Sequence, residues 1–287
     1  MESTDDLASA ASERLREFAR LENSASERRP SRGYWWLMLW SAVLIAAYVG
    51  VYLFTFWGST VEQVSERTGG YSATWVMLTP VLTFSSLLSG ARERFNIRAK
   101  PSPLHWGFYG LVMAGFVALG VLSITGIAYP WWLNVLVPLA LFVTMAAAPV
   151  RNLIAVSRRS SEPWGRAPLS TASRLMTVLI GAAIGVLLIT SAYPLAAAIS
   201  GIVVMVFLIV VLVSWRASFG LPRVGYQWGS LHWVCFGACA LVVFACVLLT
   251  TFTSWFTAPY TVAAGVLVFI IMGVAALFPR SDPQREL

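Results

Sequence analysis

The sequence predicts an all-α polytopic membrane protein, with eight transmembrane helices arranged as two parallel runs of four. The 287 residues are 58% hydrophobic and only 11% charged, whereas an ordinary soluble domain carries about 25% charged residues. The charges are also segregated: no Asp, Glu, Lys or Arg occurs in 33–61, 68–91, 101–150, 175–215 or 224–279. Finally, Leu104-His105-Trp106 recurs as Leu231-His232-Trp233, an offset of 127 residues.

A helix needs about 20 apolar residues to cross a bilayer, at a rise of about 1.5 Å per residue. The first two uncharged stretches hold one span each and the other three hold two each, which gives eight. These runs are apolar on every face, so their backbone groups are best satisfied within helices. A β-barrel would alternate polar and apolar residues instead. The spans fall at 34–58, 71–90, 105–128, 131–150, 174–191, 194–215, 231–252 and 258–278. Ala128-Tyr129-Pro130 and Ala192-Tyr193-Pro194 mark tight corners. Proline suits the start of the following helix, where the first N–H has no partner anyway. Gly181 with Gly185, and Ala197 with Gly201, sit at four-residue spacing that lets helices approach closely.

The chain divides into a cytoplasmic N-terminal segment (1–33), a first transmembrane repeat (34–150), a cytoplasmic linker (151–173), a second repeat (174–279) and a cytoplasmic tail (280–287). Carrying the 127-residue offset through residue 148 gives ten identities in 45 positions, among them Gly110 with Gly237 and Met145 with Met272. An offset covering an even number of spans makes the repeats parallel, related by an axis along the membrane normal. Composition bias is the competing account of the matches.

Of the 20 basic residues, 19 lie on one side of the predicted topology and only Arg67 on the other. The positive-inside rule then puts both ends in the cytoplasm and the protein in the cell (inner) membrane. Trp35, Trp36, Trp106, Trp215 and Trp233 mark the inner interface, and Trp57, Trp131, Trp132 and Trp255 the outer one. Lys100 is the only lysine, a bias that fits a GC-rich bacterial genome. The apolar runs begin only after residue 32 and no clear cleavage site follows the first, so no signal peptide is expected. The net charge of +7 does not imply nucleic-acid binding, because the basic residues occupy short loops between spans. The expected partners are membrane lipids, anionic ones included, and a protein partner or a second copy of the chain.

Near the N-terminus, Leu7, Ala11, Leu15 and Phe18 follow helical spacing, with Ser3 and Asp6 in capping-box-like positions. This segment reads either as an amphipathic helix that docks on a membrane or partner, or as a disordered tail.

His105 and His232 are the only histidines and occupy equivalent repeat positions. Paired imidazoles can ligate a haem axially, and histidine can gate by pH. The alternative is an interfacial side chain that anchors the start of a span beside its tryptophan. Cys235, Cys239 and Cys246 share one helix face. That arrangement fits a thiolate metal site or small packing residues, with packing favoured. Pro80 and Pro138 interrupt span interiors, and with Thr79, Thr83 and Asn134 they form the candidate cavity. Interrupted helices often line the substrate path in transporters, though prolines are also common in membrane helices generally.

No acid or base occurs inside any span. Such a group costs about 2.5–3.5 kcal/mol or more to bury there and usually marks an ion or proton path. Phosphate-binding loops, zinc-protease motifs and catalytic triads are missing too. The chain is therefore expected to be no enzyme and to need no cofactor. The leading expectation is a permease-like protein, or the membrane subunit of a transport complex, for an uncharged or lipid-like solute. The alternatives are a non-enzymatic scaffold or sensor that docks a partner through its N-terminal helix, and a b-type haem protein.

Overall fold

A computed structural model of the chain describes residues 32–66, 72–94, 103–155 and 164–283. The N-terminal segment with Leu7, Ala11, Leu15 and Phe18 lies outside the described residues.

Ten helices occur among them: α1 (Arg32–Phe56), α2 (Val61–Glu66), α3 (Ser72–Arg94), α4 (Pro103–Ile124), α5 (Leu133–Ala155), α6 (Thr171–Thr190), α7 (Pro194–Val213), α8 (Leu221–Gln227), α9 (Ser230–Phe252) and α10 (Ala258–Ala275). Eight of these, all but the short α2 and α8, are long and apolar enough to cross a membrane. The chain has the architecture of a multi-pass membrane protein.

The spans match the hydropathy pattern closely, with an instructive overrun. Helix α3 continues to Arg94 and α5 to Ala155, past the expected ends at 90 and 150. Charge ends an apolar run but does not end a helix. Arg92 and Arg94 in the last turn of α3 sit where the helix dipole favours cations. At the other end of α5, Trp131 and Trp132 form a turn before the helix starts.

The corners form for local reasons. Helix α1 stops before Gly58 (φ 66°) and α4 before Gly126 (φ 71°), left-handed positions at which glycine commonly ends a helix. Pro194 opens α7 after Tyr193, whose N–H donates to the Thr190 carbonyl at 2.8 Å. Across this corner the Thr190 and Ser200 hydroxyls are 2.7 Å apart.

Helix α1 packs along α5, and α6 packs along α10, so in each run of four spans the first lies against the fourth. At the α6–α10 crossing the backbones meet. A Cβ on Gly185 would stand 2.7 Å from the Gly265 carbonyl oxygen, and one on Gly181 would strike Met272. The glycine pair in α6 thus serves a contact within the chain. Gly201, by contrast, has only the Trp75 ring nearby, at 3.9 Å from a Cβ position.

Buried apolar side chains form two clusters. The larger draws on α1, α3, α6, α7, α8, α9 and α10, with Phe84, Ile184, Trp228 and Phe236 among its members. The smaller joins α1 to the α4–α5 hairpin through Val49, Leu53, Leu119, Tyr129, Val137 and Leu141. Helix α1 therefore stands between the main core and a peripheral hairpin.

Two features lie beyond the span pattern. Helix α8 packs tightly on α3, where a Cβ on Gly90 would collide with the Pro222 carbonyl and one on Gly225 with that of Leu87. A short antiparallel ribbon pairs β1 (Trp164–Ala167), from the linker, with β2 (Arg280–Pro283), from the tail.

Candidate functional site

By alternation of the spans, the described arginines Arg32, Arg92, Arg94, Arg151, Arg174, Arg216 and Arg223 gather at one face of the bundle. Among the described residues the charges toward the other face are Glu62 and Glu66.

Most of the tryptophans expected at the interfaces are exposed near span ends, including Trp36, Trp106 and Trp215 toward the Arg-rich face. Trp57, Trp131, Trp132 and Trp255 are exposed toward the opposite face. Trp233 differs: it is buried, with the rings of Phe84 from α3 and of Trp228 against it. Trp228, at the end of α8, is buried beside it, with the rings edge to face at 5.2 Å.

This corner lies toward the Arg-rich face. The Trp228 indole donates to Thr177 Oγ1 at 3.0 Å, and the Ser170 N–H donates to Gln227 Oε1 at 3.1 Å. Arg94 donates to the carbonyls of Tyr226 (3.3 Å) and Trp228 (3.0 Å) at the end of α8. Below them Phe84 stacks with Phe236 and meets Trp233 edge to face. The aromatic plug so formed is buried and held by polar contacts on three sides.

His232 belongs to this plug. Its Nδ1 accepts the Gly229 N–H at 3.2 Å, which caps the first turn of α9, and its ring stacks on Trp228 at 6.0 Å. One imidazole nitrogen is thereby engaged, and the residue is fully buried. His105 lies in the first turn of α4, and its side chain is outside the described residues. Helices α4 and α9 share no extensive contact.

Cys235, Cys239 and Cys246 are free thiols. Cys239 contacts the Val268 carbonyl of α10 at 3.8 Å, as a packing residue would. Among the described residues no group of three or more His, Cys, Asp or Glu is placed to hold a metal.

The five residues of the expected cavity are not brought together. On α3, Thr79 and Thr83 are buried and donate to the carbonyls of Trp75 (2.9 Å) and Thr79 (2.7 Å). Pro80 is buried between them. On α5, Pro138 faces Gly50 of α1, and buried Asn134 accepts from the Tyr129 hydroxyl at 3.0 Å. Helices α3 and α5 both pack on α1, which separates the two groups. Thr79 instead lines a narrow apolar groove of about 130 Å³ between α3 and α7, with Trp75, Leu82, Gly201 and Met205.

A different pocket, of about 400 Å³, opens at the face opposite the arginines. The ends of α6 and α9 and the starts of α3 and α10 converge there. Its walls include Ala73, Val76, Leu188, Cys246, Val247 and Phe256, and no charged side chain among the described residues lines it. Six hydroxyl side chains do: Ser191, Thr250, Thr253, Ser254, Thr257 and Thr261. Ser254 and Thr257 are exposed, whereas Thr261 is buried deeper. The sequence does carry a signal for this site, since five of the eight residues 250–257 are Ser or Thr. Attention to prolines in span interiors misses it, because it forms at span ends.

The pocket is within the range of about 300–1,000 Å³ usual for small-molecule sites. A few hydroxyls on an apolar wall can orient a small neutral molecule but cannot offset a full charge. No protein-family model, curated protein or solved structure matches this chain.

Proposed function

We propose that the protein is a permease-like membrane protein, or the membrane subunit of a transport complex, for a small uncharged solute, with the hydroxyl-lined pocket as its port. The observation that carries this reading is the pairing of an open pocket, with no charged side chain among its described lining residues, at one face with a buried aromatic plug toward the other. Alternating-access proteins need such an asymmetry in each resting state. The uncharged spans favour a neutral cargo and argue against enzymatic chemistry. Any energy coupling would come from a partner chain.

In this reading the Arg-rich face is cytoplasmic by the positive-inside rule, both ends lie inside, and the pocket faces outward. The two runs of four spans derive from an internal duplication. The repeated Leu-His-Trp and the shared packing of first span on fourth support it.

Uptake of radiolabelled erythritol into proteoliposomes tests the reading. Wild-type vesicles should fill several-fold faster than protein-free ones, and Thr250→Trp, which fills the pocket from an exposed position, should abolish the difference. Equal filling of wild-type, variant and protein-free vesicles would remove the proposal.

A further inference from the structure

The reading of the pocket as a port leaves open which neutral molecules it prefers, and the hydrogen bonds around it bear on that choice. A Ser or Thr hydroxyl has one proton to give and two lone pairs to receive with. In this pocket most of the protons are already committed. Ser191 donates to the Leu188 carbonyl at 2.7 Å and Thr250 to Val247 at 2.9 Å. Thr253 donates to Leu249 at 2.6 Å, and Thr261 to Ala258 at 2.9 Å. Each bond runs back onto the residue's own helix, as hydroxyls in apolar surroundings commonly do. Four of the six lining hydroxyls therefore face the pocket as acceptors.

Among the described residues no Lys, Arg, His, Trp, Asn or Gln lines the cavity. Among the described lining side chains, donation is thus limited to the rim hydroxyls of Ser254 and Thr257, while Ser191, Thr250, Thr253 and Thr261 offer lone pairs. Discrimination follows from this imbalance. A ligand that fills such a site without donating leaves desolvated oxygens unpaired, which costs more than a missing attraction.

We infer that the pocket selects small neutral molecules rich in hydrogen-bond donors, polyols above all, over donor-free molecules of similar size. This rests on the port reading for its biological meaning, but the selectivity belongs to the site itself. The rim opens through exposed Ser254 and Thr257, so the source is a free polyol in the aqueous phase.

Thiol labelling at the rim tests the inference without relying on transport. The protein would carry Ser254→Cys with Cys235, Cys239 and Cys246 replaced by Ala, and would be labelled with a methanethiosulfonate reagent in lipid vesicles. Erythritol at a few hundred millimolar should slow labelling at least threefold, while 1,2-dimethoxyethane at the same concentration should leave the rate unchanged. Adding Thr250→Val and Thr253→Val, which remove two acceptors at nearly constant shape, should erase most of the erythritol protection. Should that variant elute as aggregate, the comparison of the two solutes on the parent protein decides alone.

Equal protection by both solutes, or none by either, overturns the inference. Protection by sodium or potassium chloride but not by erythritol also overturns it, and makes the oxygens a cation site. Protection by a glycosyl diacylglycerol in the vesicles, without protection by erythritol, overturns the aqueous source. Selective protection without erythritol uptake would leave the ligand class standing and remove the transport reading. Uptake without selective protection would do the reverse.

Discussion

The α4–α5 and α9–α10 hairpins begin with the same Leu-His-Trp tripeptide, yet they meet opposite surroundings. Helix α9 packs on α1, α3 and α10, whereas the main contacts of α4 among the described residues are with α1 and α5. Trp233 is 7% exposed and its sequence counterpart Trp106 is 66% exposed. A Cβ on Gly237 would strike the Trp40 ring, while one on Gly110, at the matching position, would have nothing within 4 Å. What separates them is the connection that precedes α9. Trp228, at the end of α8, packs against Trp233 at the start of α9 and donates to Thr177 of α6, while α8 itself packs on α3. Lipid tails are as apolar as a protein core, so hydropathy brings both hairpins into the membrane without saying which one meets protein.

The largest test of this contrast is the tryptophan pair. Trp233→Ala removes a ring packed against Phe84 and Trp228. It should cost on the order of 3–5 kcal/mol, as large core truncations do. Trp106→Ala, at the exposed position, should cost under about 1 kcal/mol. Thermal unfolding in one detergent, followed by the loss of the monodisperse elution peak, would rank the two. Similar losses would break the distinction between core and peripheral hairpins.

The glycine pair sharpens it at smaller scale. Gly237→Ala forces the Trp40 ring aside, an overpacking that costs about 1–3 kcal/mol. Gly110→Ala adds a methyl to open space and should be neutral or stabilising by up to about 1 kcal/mol through helix propensity. A destabilised Gly110→Ala would mean that this face of α4 meets another chain in the assembled protein.

These pairs also mark where the sequence stops being readable. Span number and placement are legible because apolar length is a local property, visible in the uncharged stretch 101–150 as clearly as in 224–279. The ends overrun to Arg94 and Ala155 because a backbone ladder continues past charges, Arg92 and Arg151 here, that hydropathy counts against. Helix α8 is harder to see, since its seven residues mix Pro222, Arg223 and Gly225 and take their order from α3. The expected cavity gathers residues by polarity along the chain, and α1 divides them in space. The pocket draws walls from Ala73 through Thr261, so its formation depends on how four span ends meet. Only the cluster of hydroxyls at 250–257 announces it beforehand.

The third test concerns the polar contact within the peripheral hairpin. The Tyr129 hydroxyl donates to Asn134 Oδ1, and the buried Asn134 Nδ2 has no hydrogen-bond partner among the described residues. Tyr129→Phe leaves that carboxamide without its donor and should cost about 1–3 kcal/mol, the penalty for an orphaned buried polar group. Adding Asn134→Leu removes the orphan as well, and the double variant should recover to near wild-type stability in the same thermal assay. Such recovery is possible only if the hairpin holds itself mainly by apolar contact with α1. The Trp228–Thr177 contact offers no equivalent rescue. With Trp228→Phe and Thr177→Val together, the polar debt is removed, but the space vacated by the indole lies among Trp233, Phe236 and His232 and stays unfilled. A double variant at Tyr129 and Asn134 that remains as unstable as the single would place a second polar partner beside Asn134. The outer hairpin would then be as closely specified as the inner one.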